Sequence, residues 1–111
     1  VIRYTVLLRR ADGVDRERFL HMWLGEHQAM AWRLPGVLHV AFHPTVAEQG
    51  DFDGIGQLDF VDEAALNDAL STDAARRLRA HTATFADLES IIRVVVDATP
   101  ETPETPATSG D

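Results

Sequence analysis

The sequence predicts an α+β domain of order βαββαβ, a four-stranded antiparallel sheet with its helices on one face. Three observations carry that prediction. The apolar pattern changes twice, in the same order, between the alternation of a strand and the 3.6-residue period of a helix. Pro35-Gly36 ends one helical stretch, and Ser71-Thr72-Asp73 interrupts the other. A chain of 111 residues with 45% hydrophobic composition supports one core and no more.

Val1 to Arg9 reads as the first strand, rich in β-branched and aromatic side chains, and Arg10 to Gly13 as a loop. Asp15 is placed to cap a helix, Glu17 to meet the positive end of its dipole, and Val14 to staple against Phe19. That helix is predicted to reach Leu34. Val37 to His43 alternates as a second strand before Pro44, with a polar loop over Thr45 to Asp53. Gly54 to Phe60 is a third strand whose two glycines imply a bulge or a backbone held close to another group. Asp62 and Glu63 open a second helical region through Leu66, Ala69 and Leu70, followed by a further piece from Ala74 toward His81. The pattern over residues 82–89 assigns neither helix nor loop. Ile91 to Val96 closes the set as a fourth strand, giving the split βαβ arrangement of a ferredoxin-like domain over residues 1–98. Residues 99–111, rich in Pro, Thr and Glu with no large apolar side chain, are expected to form a disordered tail.

Composition removes whole classes of function. The net charge is −8, and the tail holds three acids and no base, so residues 1–98 keep −5. An acidic domain without clustered Lys and Arg is not expected to bind nucleic acid or an anionic membrane surface. The chain has no cysteine, which excludes disulfides, thiolate nucleophiles and cysteine-ligated metal, and fits a reducing cytoplasm. No segment approaches a membrane span, and the apolar start carries Arg3 and no small-residue cleavage motif, so no secretory leader is expected in it.

The first and fourth strands are apolar on both faces, yet two helices cover only one. At roughly 25 cal/mol per Å² of apolar surface, leaving several such side chains in water would forfeit a large part of a marginal stability. A homodimer, sheet face against sheet face, is therefore expected.

Phe19, Trp23, His27, Met30 and Leu34 recur at helical spacing, which turns His27 inward on an apolar stripe. A histidine there is either a core imidazole bonded to a carbonyl or the floor of a cleft; Glu26, about 100° round the helix, reads as a solvated acid. His39 and His43 share a strand face with Ala41 between them, about 13 Å apart, too far to share one metal ion. No other ligand spacing suits a metal. The spacing allows a groove floored by Ala41 and walled by Trp23 and Met30. Asp59 is open to three readings: pocket, dimer seam or solvent. Tyr4 is either a hydroxyl donor to a ligand or a core residue, and Arg3 and Arg93 could bind a substrate carboxylate or pair with acids across a dimer. No phosphate-binding loop or nucleophile elbow is present.

The run Phe19-x-x-x-Trp23-x-x-x-His27, then Leu34-Pro35-Gly36 with a ring side chain at His39, and later Asp53-Gly54-Ile55, resembles the EthD family of dimeric α/β-barrel proteins, itself similar to muconolactone isomerases. The resemblance spans nearly all of residues 1–98. It implies a ferredoxin-like dimer with a small-molecule pocket between helices and sheet, and chemistry without metal or organic cofactor. By position, His27 matches the family's helix histidine, His39 a polar ring residue that is commonly tyrosine, and His43 a further pocket position, while Asp59 stands where many relatives carry a large aromatic. The expectation is an acid/base enzyme, an isomerase, cyclase or lyase, acting on a small carbonyl compound such as a lactone or polyketide-type intermediate. His27 and His39 are its catalytic pair, and Trp23, Met30, His43, Asp59 and Tyr4 its substrate contacts. The alternatives are a cofactor-free monooxygenase of phenolic or anthrone-like compounds and an accessory protein that binds a ligand unchanged.

Overall fold

The structure, a computed structural model, describes residues 1–98, and for residues 47–49 the backbone alone. Strand β1, Ile2–Leu8, leads into α1, Arg16–Met22, which passes through a single π-helical turn, Trp23–His27, and continues as α2, Gln28–Trp32. Strands β2, His39–Gln49, and β3, Phe52–Phe60, form a hairpin. Helices α3, Glu63–Leu70, and α4, Asp73–Thr82, then precede a 3₁₀ turn, Leu88–Ser90, and strand β4, Ile92–Asp97. The sheet order is β2-β3-β1-β4, with every neighbouring pair antiparallel. This is the ferredoxin-like α+β architecture: β3 lies between the parallel strands β1 and β2, and the helices pack on one side.

Each helix start follows from a short polar side chain. Asp15 accepts from the Arg18 N–H at 2.8 Å, and Asp62 accepts from the Ala65 N–H at 2.8 Å. Thr72 accepts from the Ala75 N–H at 3.2 Å and restarts the chain as α4 after Leu70. Such caps are each worth about 1 kcal/mol. Residues 82–89, unassigned by pattern, are the end of α4, a turn that buries Phe85 and Ala86, and the first part of the 3₁₀ turn.

The hairpin departs from the sequence expectation. β2 does not stop at His43 but runs on through Pro44 to Gln49, and β3 begins at Phe52, so most of the expected loop is strand. Because β2 is an edge strand, Pro44 costs no ladder donor, and the irregular pairing between Pro44 and Gln49 absorbs its rigidity. Gly50, at a φ of 59°, turns the chain back. The Thr45 hydroxyl donates toward the carbonyls of Phe52 and Asp53 and, with the Thr45 carbonyl, accepts from Arg16, tying the hairpin to α1.

Two apolar clusters fill the space between helices and sheet. Leu8, Phe19, Trp23, Phe85 and Ala86 form one; Ala31, Leu34, Val40, Leu58, Phe60, Leu66, Ala69 and Ala75 form the other. Phe42 packs against both and marks the seam where the candidate site opens. The opposite face carries Leu7, Ile55, Ile92, Val94 and Val96 with none of the described helices over it, and β4 is exposed along its whole length. No helix among the described residues is long and apolar enough to cross a membrane.

Candidate functional site

The π turn builds the site. Within it lie the two side chains that close one end of the central seam, Trp23, fully buried, and His27, 6% exposed. In a straight α-helix, steps of four residues drift round the axis, and the apolar face would pass from His27 to Met30. The wider π turn cancels the drift, so the buried positions are Phe19, Trp23, His27 and Ala31, and Met30 is only partly buried. Trp23 lies flat on Phe42, with ring centroids 4.8 Å apart and planes within 8°. A Cβ added at Gly54 would overlap the indole, and one at Gly56 would stand 3.3 Å from Phe42. The paired glycines of β3 thus make room for the aromatic pair.

His27 has a partner that the sequence did not disclose. Its Nδ1 lies 3.0 Å from Nδ1 of His81 on α4, the two rings nearly parallel with centroids 5.2 Å apart. One nitrogen must donate and the other accept. Glu26, on the solvent side, sits 3.5 Å from His81 Nε2 and favours a proton there. When that proton is on Nε2 and Nδ1 carries none, His81 accepts from His27 Nδ1–H. In that arrangement His27 is held in the tautomer whose Nε2 keeps a free lone pair. The Thr82 hydroxyl lies 3.5 Å from that Nε2 and donates to the Leu78 carbonyl at 2.9 Å. Burial first, and the electrostatic effect of His81 second, push the His27 imidazole down to about 4, so it is unprotonated at neutral pH.

A cavity of about 230 Å³ opens beside this pair. Its walls include Tyr4, Val6 and Leu8 from β1, Trp23 and His27 from the π turn, Phe42 from β2 and Thr82 from α4; His81 is outside the lining. The volume falls below the roughly 300 Å³ at which pockets for drug-sized ligands begin, and suits a compound of one or two small rings.

The sequence-predicted residues divide between two faces of the sheet. Trp23, His27 and Tyr4 meet at the cavity. Met30 does not line it, and Ala41, expected as a groove floor, points away with His39 and His43. His39 is exposed on the outer face, opposite Asp59 in the strand register and edge-on to Trp32 with ring centroids 5.9 Å apart. Asp59 is on that outer face too, where Arg3 donates to both carboxylate oxygens at 2.8 and 3.0 Å. That guanidinium, its effect opposed by partial burial and aided by His39, holds the Asp59 carboxyl below its ordinary value. His43 is exposed beside Pro44. Asp53 is a structural anchor: its carboxylate accepts from the Arg10 N–H at 2.9 Å and pairs with Arg10 and Arg16. Among the described residues no three His, Asp or Glu side chains converge as metal ligands.

No family model matches the sequence, and no curated protein does. Solved structures do match. An EthD family protein from Bacillus halodurans superposes with a TM-score of 0.75 at 15% identity, over 89% of this chain and 100% of its own. A dimeric protein of unknown function with a ferredoxin-like fold, from Bacteroides fragilis, gives 0.69 at 10% identity, over 87% and 95%. SnoaB, a cofactor-independent oxygenase from Streptomyces nogalater, gives 0.68 at 13% identity, over 93% and 97%. The chain thus has the fold of the EthD family protein, as the sequence resemblance implied, and at these identities the likeness is one of fold alone.

Proposed function

We propose that the chain is a cofactor-independent acid/base enzyme, an isomerase, cyclase or lyase, that removes a proton from carbon next to a carbonyl in a small compound such as a lactone or polyketide-type intermediate. The observation that supports it is a neutral imidazole, fixed at Nδ1 by a second imidazole, beside an apolar cavity of ligand size. His27 Nε2 takes the proton. As the ring becomes cationic, its Nδ1–H donates more strongly to His81, whose own Nε2–H is turned to Glu26, so the new charge is shared toward solvent. Trp23 and Phe42 present flat apolar faces to a planar substrate, and the Tyr4 hydroxyl is a donor for its carbonyl oxygen. His81 takes the second-histidine role that the sequence assigned to His39. Two copies of the chain would cover the apolar outer faces as a homodimer, and the Bacteroides protein of this fold is dimeric.

A second reading, oxygenation of an electron-rich phenol or anthrone, draws on the likeness to SnoaB. One experiment separates the readings. Unsaturated five-membered lactones and anthrone are incubated with the protein in D₂O while NMR follows deuterium uptake at carbon and an electrode follows oxygen. Enzyme-dependent exchange that falls by about 10²-fold or more in His27→Gln, without oxygen uptake, is expected. Oxygen uptake would transfer the assignment to an oxygenase. Ligand shifts without exchange or uptake would leave a binding protein.

A further inference from the structure

We propose that the compound held in the cavity is an anion, its carboxylate gripped by Arg79 and Arg93. This rests on reading the cavity as the substrate site and adds the substrate's charge to it. The chain has 18 acidic and 10 basic residues, yet the cavity wall contains no Asp or Glu and two arginines, Arg79 and Arg93. The remaining lining is apolar apart from His27, Tyr4 and Thr82. In an acidic protein, a wall with only positive formal charge selects for an anionic ligand.

The two guanidinium groups reach this place from different elements for reasons of register and helical phase. Arg93 pairs with Val6 across β1 and β4, so it projects from the same face as the cavity residues Tyr4, Val6 and Leu8. Arg79 shares the cavity face of α4 with Ala75, Leu78 and Thr82. Neither makes an ion pair among the described residues; Arg79 has one long bond, from Nη1 to the Leu70 carbonyl at 3.4 Å. The mid-strand arginines differ in this respect. Arg3 is paired with Asp59 on the outer face, whereas Arg93 faces inward and has no ion pair among the described residues. A carboxylate fits such donors because a guanidinium offers it two parallel N–H bonds.

The volume of the cavity, about 230 Å³, limits the size of the ligand. Arg79 precedes Thr82 by three residues, about 4.5 Å of helix rise, and Thr82 touches His27 Nε2. An anion at the arginines and a reacting carbon at His27 would lie within the same cavity of about 230 Å³. The substrate class is a short-chain or small-ring carbonyl acid, with its carboxylate at the cavity mouth and its apolar part against Trp23.

The test compares phenylacetate with phenylacetamide, matched in shape and differing in charge, by calorimetric titration of the full chain and by the ring resonances of His27. The acid is expected to bind about tenfold or more tightly than the amide, to lose affinity with added salt, and to move the His27 signals. Arg79→Gln and Arg93→Gln should each weaken the acid about tenfold and leave the amide unchanged, with thermal melts confirming that the variants fold. Arg3→Gln should leave both affinities as they were. If acid and amide bind equally and both move His27, the anion claim is wrong while the cavity stands. If neither binds, the cavity is not a ligand site and the proposed function fails with it.

Discussion

The two faces of the sheet place histidine and charge in opposite settings. On the inner face, His27 is desolvated, locked to His81 and beside a cavity; on the outer face, His39 and His43 are exposed. Inside, the arginines of the cavity wall pair with no acid among the described residues; outside, Arg3 and Asp59 are joined by two hydrogen bonds. Residue type is therefore a poor guide to role in this chain. A histidine becomes a candidate base where it is buried beside a cavity with a second group at its other nitrogen, and an arginine becomes a candidate ligand anchor where no acid among the described residues pairs with it.

The largest expected effect comes from the outer face. Val94, 44% exposed in the single chain, lies with Ile92 and Val96 on the bare side of β4. In a sheet-to-sheet dimer, Val94→Asp would bury an unpaired carboxylate in each subunit, at a cost of about 3–5 kcal/mol, equivalent to at least a hundredfold weaker association. Sedimentation of the wild type at twice the chain mass and of the variant at the chain mass is expected. Two species of equal mass would show that the outer face is not the interface. The cavity has no residue from that face, so the His27 resonances should persist in the monomer.

An intermediate effect belongs to His27. Its folded value of about 4 lies below the ordinary 6.5, so the unfolded chain binds the proton more readily. The associated stability is fully present above pH 6.5 and is lost as pH falls toward 4, by about 3 kcal/mol as an order of magnitude. The titratable and charged groups near this ring are His81 and, beyond it, Glu26, with Arg79 on the same helix as His81. Urea unfolding of wild type and His27→Gln between pH 7 and 4 should show a steeper fall for the wild type. Parallel curves would mean that His27 reaches solvent and that the inner face is not the desolvated one.

Much of this contrast was legible in the sequence, and its limits have physical causes. Period and punctuation placed all four strands and the inward turn of Phe19, Trp23 and His27, because steps of three and four residues fix a helix face. The face chosen for Met30 was wrong, since one π turn shifts the phase and leaves no mark in composition. The end of β2 was wrong because Pro44 reads as a stop, while an edge strand tolerates it. His39 and His43 were correctly placed on one strand face, but alternation does not say which face meets the helices. His81 was out of reach in a different way: it stands 54 residues from His27, and no local pattern reports a contact between two helices. Its position four residues before Phe85, near the end of a helix with Ala75 and Leu78 inward, was the one available signal.

The smallest expected effect sharpens the comparison at Asp59. The Arg3 side chain is 36% exposed in the single chain, so solvent screens the pair and its contribution there is about 1 kcal/mol or less. Arg3 holds the Asp59 carboxyl below its ordinary 3.8, so that contribution is present above pH 3.8 and is lost as pH falls further, a window that begins where that of His27 ends. Dimerisation would change the size of the effect and not its sign, because a pair covered by a second sheet is shielded from water and leaves Arg3 unpaired and buried when it is broken. Asp59→Asn should therefore cost about 1 kcal/mol in the Val94→Asp monomer and roughly twice as much or more in the wild-type dimer, as read by urea unfolding at pH 7. Equal losses in the two backgrounds would place the pair at the rim of the interface or outside it. A larger loss in the dimer would place it inside the contact, with His39 beside it, and assign the outer-face histidine to assembly as the inner one is proposed for chemistry.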